Sequence, residues 1–431
     1  MKEKDIILNG EMPTNNGYGL IGKTLTHSYS KEIHEALGEY SFGLWELSPE
    51  ALSTFFTTRE FKGVMITIPY KKQALAAADR ISPQAKAIGA ANILYFDKEG
   101  QLWADNTDYY GFIYMINRMG VSLKGKRVLI LGDGATSNTV CHGVKALGAY
   151  SIKIASRHQE RYLEKSKNKD SMGDCCIVGY DEDFSDIEVL INATSVGMFP
   201  DNGKTIINLV EMGRLEAVVD LIYNPFATKL LLQAQDLGIK TSNGFPMLVA
   251  QAVKGAELFM NNVLPKEKSW EEWNEILISH FEDLYYNKVL IGMPGSGKTT
   301  IGRILGETLN REFVDTDHLI EEREGQTISQ IFAKMGETYF RKIEAEIAKE
   351  IGKKKSLVIA TGGGMVLQKE AMDALRQNGE ILWVKAPLEK LPREGRPLSF
   401  EPKALQEMWE ERETLYNKYA NKIIRREDYD R

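Results

Sequence analysis

Cysteine is scarce: Cys141, Cys175 and Cys176 are the only three in 431 residues. Two are adjacent and no C-x-x-C spacing occurs, so neither a disulfide framework nor a thiolate zinc site is expected. Positive charge is not in excess. The 54 basic residues face 60 acidic ones, a net charge of −6, where a nucleic-acid binder needs a basic patch or stripe. The longest basic run, Lys353 to Lys355, reads as a solvated helix end. No stretch reaches the roughly 18 apolar residues of a membrane span. The opening "MKEKDIILNG" has no apolar core of a secretory signal. Internal repeats and low-complexity segments are also missing. These absences predict a reducing, cytoplasmic setting, with no membrane and no nucleic-acid partner.

What is present is α/β patterning, repeated. A chain of 431 residues exceeds one ordinary core, so two or three domains are expected. Apolar or β-branched runs at 18–22, 63–69 and 92–96 alternate with helical stretches such as "KEIHEALGEY". A second set starts at "KRVLILG" and continues through "SIKIASR", "DIEVLINAT" and "LEAVVDLIY". Strands followed by helices predict a parallel, doubly wound sheet. "MLVAQAVKGAELFMNNV" has helical apolar spacing. Next, Trp270, Trp273, Leu277 and Phe281 recur at near-helical spacing, predicting an amphipathic connector. A third strand–loop–helix set opens at "NKVLIGMPG".

That third set carries the strongest local signal. Gly292 to Thr299 fits G-x-x-x-x-G-K-S/T in full, between a strand and a helix. Backbone N–H groups freed by glycine can face phosphates, and the helix N-terminus adds partial positive charge. Lys298 supplies a cation for the transferring oxygens, and Thr299 a hydroxyl for Mg2+. Asp315 and Asp317 end the next strand; one can hold Mg2+ through water while the other accepts a hydroxyl proton. Arg341 and Glu344 share a helix face, and an arginine fork suits a carboxylate. Gly362 to Gly364 allow close backbone approach to a small ring, and Arg393 and Arg396 follow.

The earlier glycine turn, "LGDGATS", has Gly132 and Gly134 but Ser137 in third place, so the dinucleotide signal is incomplete. Asp133 is unwelcome beside a pyrophosphate. About two dozen residues on, Ser156, Arg157 and Arg161 stand where an acid would serve NAD. A cationic, acid-free strand end suits a 2′-phosphate, hence NADP.

The segments "GMPGSGKTT", "DTD", "GETYFRKIE", "TGGG", "RPL" and "ERETLYNKYA", over about 288–425, together resemble shikimate kinase. The resemblance implies that Asp317, Arg341, Gly363 and Arg396 hold shikimate. It implies that Lys298, Thr299 and Asp315 serve ATP and Mg2+, with Gly295, Ser296, Gly297, Thr300 and Arg393 also at the nucleotide. The lid segment "KAPLEKLPREG" is short. Over about 15–265, "HSYS", "IPYKK", "DNTD" and "MLVAQA" resemble shikimate dehydrogenase. That resemblance places Ser28, Ser30, Thr67, Asn92, Tyr223 and Gln251 at the substrate. It places Gly132, Gly134, Ala135, Ser156, Arg157, Arg161 and Thr194 at NADP(H). Lys71 becomes the proton donor and Asp108 its partner. Three departures stand out: Met65 for a usual asparagine, Ile93 for a usual threonine, and Asp133 for a small residue.

The combined expectation is an α/β chain with a two-lobed dehydrogenase followed by a P-loop kinase domain with a parallel sheet. The substrate lobe covers 1–110 and is completed by a helix at 245–265. The NADP lobe, Rossmann-like, covers 111–244, the connector 266–286 and the kinase 287–431. The implied reactions are NADPH-dependent reduction of 3-dehydroshikimate to shikimate, then phosphorylation of shikimate by ATP with Mg2+, steps towards chorismate and the aromatic amino acids. Monomer and homodimer are both compatible with the sequence. Two rivals stay open: a quinate/shikimate dehydrogenase fused to a different small-molecule kinase, and a shikimate-sensing regulatory protein.

Overall fold

The computed structural model describes residues 6–7, 17–25, 28–38, 40–157, 175–261, 264, 268–391 and 402–429. These divide into two compact units. The first comprises 1–196, 206–223 and 233–280, the second 197–205, 224–232 and 281–431.

The first unit holds two sheets. One contains β1 (Ile6–Ile7), β2 (Tyr18–Gly22), β3 (Phe42–Glu46), β4 (Gly63–Ile66), β5 (Arg80–Ile81), β6 (Ile93–Phe96) and β7 (Leu102–Asp105). Their order is β1-β3-β2-β4-β6-β7-β5, with β6 antiparallel to both neighbours. Helices α1 (Ser30–Ala36), α2 (Pro49–Thr58), α3 (Lys71–Ala77) and α4 (Pro83–Ile88) connect them. Two of these helices start from the same device. Ser48 and Ser82 cap α2 and α4 through their hydroxyls, and the proline that follows fills the first helical position, where no N–H is needed.

The second sheet is wholly parallel among the described strands: β8 (Arg127–Leu131), β9 (Ser151–Ala155), β10 (Cys175–Val178), β11 (Val189–Asn192), β12 (Ala217–Asp220) and β13 (Lys240–Ser242). Its order, β10-β9-β8-β11-β12-β13, reverses direction at β8, as in doubly wound dinucleotide folds. Helices α5 (Thr107–Met119), α6 (Ala135–Ala146), α7 (Lys229–Asp236) and α8 (Phe245–Phe259) follow this part of the chain. Phe112, Met115 and Ile116 of α5 and Met247 of α8 join the core built on Val128, Ile130, Val189 and Ile191. Helices α5 and α8 approach closely because Gly111 lacks a side chain. A Cβ there would lie 2.5 Å from the Met247 carbonyl oxygen.

Two of the departures from the dehydrogenase pattern prove to be one structural feature. Met65 and Ile93 are direct register partners between β4 and β6. Both are buried with Leu258 and Phe259, and both side chains reach Gly255 of α8. The polar pair of the family pattern is here an apolar cross-strand pair under α8.

The expected connector forms α9 (Trp270–Tyr285). Its early part belongs to the first unit, where Trp273 and Leu277 are buried and Glu275 accepts from Tyr114 and Arg118. The last turn belongs to the second unit.

The second unit is built on β14 (Asn287–Ile291), β15 (Phe313–Asp315), β16 (Val358–Ala360), β17 (Gly379–Lys385) and β18 (Lys422–Arg425). All pair in parallel, in the order β15-β16-β14-β17-β18. The helices are α10 (Lys298–Leu309), α11 (Thr316–Glu324), α12 (Ile328–Gly352), α13 (Lys369–Arg376) and α14 (Pro402–Tyr419). Alternate strand residues serve opposite faces. Val289, Ile291, Ile359, Ile381 and Trp383 meet one apolar core, and Leu290, Val358, Leu382 and Val384 meet another. Helix α12 is broken at Gly336, whose φ of 79° and ψ of 172° start a new helical segment at Glu337.

Lys355 departs from the expected solvated helix end. Its ammonium lies 5.2 Å from the Phe226 ring centroid and 5.7 Å from that of Tyr285. Burial there lowers its pKa to about 8. Phe226 itself stacks on Tyr286 at 4.4 Å and donates its N–H to Asn378 Oδ1 at 3.2 Å.

Candidate active sites

In the first unit, Lys71 opens α3 and Asp108 lies in the first turn of α5. The Lys71 ammonium sits 2.6 Å from Asp108 Oδ2, with side chains 17% and 15% exposed. The pair is partly shielded yet reachable. A buried amide network fixes it from behind. Asn92 Oδ1 accepts the Thr107 N–H at 2.6 Å, and Asn92 Nδ2 donates to Thr107 Oγ1 at 2.9 Å and to Gln251 Oε1 at 3.4 Å. Thr107 precedes Asp108, so this network sets the start of α5. The Ala91 N–H donates to the Lys71 carbonyl at 2.9 Å. Asn92 thus meets the Thr107 backbone directly, and Gln251 joins the network through side chains.

Thr67 lies on the turn that leads into α3, where its carbonyl accepts the Tyr70 N–H at 3.0 Å. Ser28 Oγ accepts the Ser30 N–H at 3.2 Å at the start of α1. Between them, Tyr29 lies 5.6 Å from the Tyr223 ring, whose phenol pKa is raised by burial.

The coenzyme loop follows β8. Gly132 has φ 96°, and a Cβ there would come within 2.6 Å of Thr194 Cγ2, so Thr194 packs directly on the turn. Gly134 caps α6, and among the described residues nothing stands within 4 Å of where its Cβ would be. That open face at a helix N-terminus fits a pyrophosphate. Ala135 is the first residue of α6. The missing third glycine has a substitute: Ser137 is buried and donates to the Gly132 carbonyl at 2.7 Å. Arg157, just after β9, is exposed. Ser156 Oγ, however, donates to Asp133 Oδ2 at 2.8 Å. Its proton is therefore turned to a carboxylate, where the sequence places it at a phosphate. Arg161 lies outside the described residues.

In the second unit the phosphate loop has left-handed or otherwise positive φ at Gly292, Gly295 and Gly297, conformations that disfavour any side chain. Ser296 is buried within it, and Thr300 lies exposed in the first turn of α10. The Lys298 ammonium donates to the carbonyls of Gly292 at 2.9 Å and Met293 at 3.0 Å. Thr299 Oγ1 donates to Asp315 Oδ2 at 2.8 Å. These two oxygens suit Mg2+, which takes one or two protein ligands and completes its shell with phosphate and water. Among the described residues no cluster of three or more His, Cys, Asp or Glu could hold a metal by itself.

Asp315 also caps α11, its Oδ1 accepting the Asp317 N–H at 3.0 Å. Asp317 is pushed up to about 6, first by burial and then by the neighbouring carboxylates Asp315 and Glu344, against the pull of Lys298. Arg341 Nη1 donates to Glu344 Oε2 at 2.7 Å. Glu344 is fully buried, and among the described residues its other oxygen has no hydrogen-bond partner. The three glycines after β16 explain themselves against this cluster. A Cβ on Gly362 would meet Asp317 Oδ1 at 2.6 Å, one on Gly363 the Pro294 ring at 2.7 Å, and one on Gly364 Arg341 Nη1 at 2.5 Å. They make room for the protein's own side chains as much as for a ligand.

One residue was quoted within a motif without being given a role. Arg412 of α14 is buried and donates to the Gly363 carbonyl at 3.0 Å, beside the Tyr416 hydroxyl at 3.3 Å. Among the described residues its Nε has no hydrogen-bond partner, and it lies 3.7 Å from Glu411 Oε2. The local signal was an arginine four residues before a tyrosine on one helix face. Arg393 and Arg396 lie outside the described residues.

Residues 20–94 match the family model of the shikimate dehydrogenase substrate binding domain, and residues 294–430 that of shikimate kinase. The chain is 34% identical over 263 residues to a shikimate dehydrogenase (NADP(+)) of Clostridium perfringens, covering 59% of this chain and 95% of that one. Among solved structures it is similar to a chorismate mutase/shikimate 5-dehydrogenase fusion protein from Clostridium acetobutylicum. That match has a TM-score of 0.55 and 32% identity, and covers 63% of this chain and 98% of the other. It is also similar to shikimate 5-dehydrogenase from Thermus thermophilus in complex with NADP(H) and shikimate. Here the TM-score is 0.52, the identity 30% and the coverage 61% and 99%.

Proposed function

The chain belongs to the shikimate dehydrogenase family and carries a shikimate kinase domain at 294–430, and from that premise we propose that one polypeptide makes shikimate and then phosphorylates it. The first unit reduces 3-dehydroshikimate, and the second transfers a phosphoryl group from ATP to a shikimate hydroxyl, giving shikimate 3-phosphate. What carries the reading is that each unit closes its own site: the Lys71–Asp108 pair in one, the Asp317–Arg341–Glu344 cluster in the other.

Bound NADPH supplies the hydride. Lys71 polarises the substrate ketone and gives its proton to the forming alkoxide, while Asp108 orients the ammonium and offsets its charge. Ser28, Ser30 and Thr67 serve the substrate carboxylate and hydroxyls. Gly132, Gly134, Ala135, Thr194 and Arg157 serve the coenzyme. In the kinase, the transition state spreads charge over the phosphoryl oxygens, so positioning and cations do most of the work. Lys298 leaves the loop carbonyls for the phosphates; Thr299 and Asp315 hold Mg2+. Asp317 takes the hydroxyl proton. Arg341 and Arg412 offer two forks to the shikimate carboxylate, Arg341 being held by Glu344.

The test is direct. Purified protein should oxidise NADPH when given 3-dehydroshikimate, and should form ADP from ATP only when shikimate is present. A preparation with neither activity would reject the reading.

A further inference from the structure

The coenzyme loop contains two opposed features. Arg157 is an exposed cation directly after β9. Asp133 lies between Gly132 and Gly134 and accepts the Ser156 hydroxyl proton at 2.8 Å. The Tyr180 hydroxyl is close enough to feel both Arg157 and Asp133, and it contacts the Gly132 backbone. These groups therefore share the end of the sheet where the adenosine ribose of a dinucleotide is read.

The donor inventory decides what they can read. A phosphate monoester dianion only accepts hydrogen bonds and needs donors and positive charge around it. Asp133, half-buried, is acceptor-only, and Ser156 is buried with its hydroxyl hydrogen turned to Asp133. Neither offers a phosphate anything, and the carboxylate repels it. A ribose 2′-hydroxyl can donate to the Asp133 carboxylate. Arg157 pulls the other way.

We infer that Asp133, acting with Ser156, is a specificity-determining residue that draws this site towards the unphosphorylated coenzyme, so that the dehydrogenase binds and uses NAD(H) beside NADP(H). The inference rests on the proposed dehydrogenase function. It gives the third departure a chemical consequence: the acid that serves a ribose has moved from the end of β9 to the glycine turn.

The test compares wild type with Asp133→Asn and Asp133→Ala. Dissociation constants for NADP+ and NAD+ are measured by calorimetry, and kcat/KM for shikimate oxidation is measured with each. Asparagine keeps the shape and the acceptor for Ser156, removes the charge and adds N–H donors. Wild type should bind both coenzymes. Asp133→Asn should raise the preference for NADP+ over NAD+ about tenfold in both measurements, equivalent to about 1.4 kcal/mol. Asp133→Ala should shift it in the same direction, with KM for shikimate unchanged. An unmoved preference in both variants, an equal loss for both coenzymes, or a wild type that binds NADP+ and not NAD+ would overturn the inference and leave the proposed function standing. A wild type that binds neither coenzyme would remove both.

Discussion

Asp317→Asn should make the ligand-free protein more stable at neutral pH while abolishing phosphoryl transfer. The reasoning is linkage. Burial, Asp315 and Glu344 raise the Asp317 pKa from 3.8 to about 6. A carboxyl whose folded pKa lies above its unfolded one favours folding fully below the unfolded value. That contribution is lost as pH rises through the folded value. The shift is roughly two pH units at about 1.4 kcal/mol each, so the ionised carboxylate costs about 3 kcal/mol above pH 7. At pH 5 the unfolded group is already ionised and the folded one is still protonated, so the cost is about half as large. Asparagine carries no charge at either pH. Urea denaturation of both proteins at pH 7.5 and pH 5 would measure the difference. The expected gain for the variant is on the order of 2–3 kcal/mol at the higher pH and clearly smaller at the lower. Activity falls because the site's charge is strained for function, the usual stability–activity exchange. Equal gains at both pH values, or a less stable variant at pH 7.5, would refute the electrostatic account of this residue.

Three further outcomes follow from the geometry. Lys71→Ala should lower dehydrogenase turnover by roughly 10²–10⁴-fold, with a smaller change in KM and an unchanged kinase rate; near-normal turnover would remove Lys71 from the mechanism. Arg412→Ala should raise the kinase KM for shikimate with little change in KM for ATP, since its guanidinium meets Gly363 and not the phosphate loop. Equal effects on both substrates would point to a collapsed α14. Met65→Asn should destabilise the protein by roughly 2–4 kcal/mol, because a lone amide would sit in an apolar layer. Adding Ile93→Thr should recover part of that loss through the cross-strand register; a cycle additive within about 0.5 kcal/mol would deny the coupling.

Much of this molecule was legible from one dimension. The phosphate loop is contiguous, and its glycines state their backbone conformations outright: Gly292, Gly295 and Gly297 all take positive φ. Ser-Pro at 48–49 and 82–83 starts helices by local chemistry alone. Arg341 and Glu344 pair because a helix brings i and i+3 together. The α/β alternation likewise follows from residue periodicity.

Other facts needed the chain to fold. Lys71 and Asp108 are 37 residues apart, and only the neighbouring of β4, β6 and β7 sets α3 beside the start of α5. Met65 and Ile93 looked like separate departures until strand register placed them opposite each other. The Ser156 hydroxyl donates to Asp133 across adjacent strands, which turns that hydrogen away from a phosphate. Arg412 became a site residue only when α14 packed over Gly363, 49 residues earlier. Short-range backbone preferences are fixed by the residues that carry them. The partner of a side chain is fixed by which strands and helices become neighbours, and that is a property of the whole core.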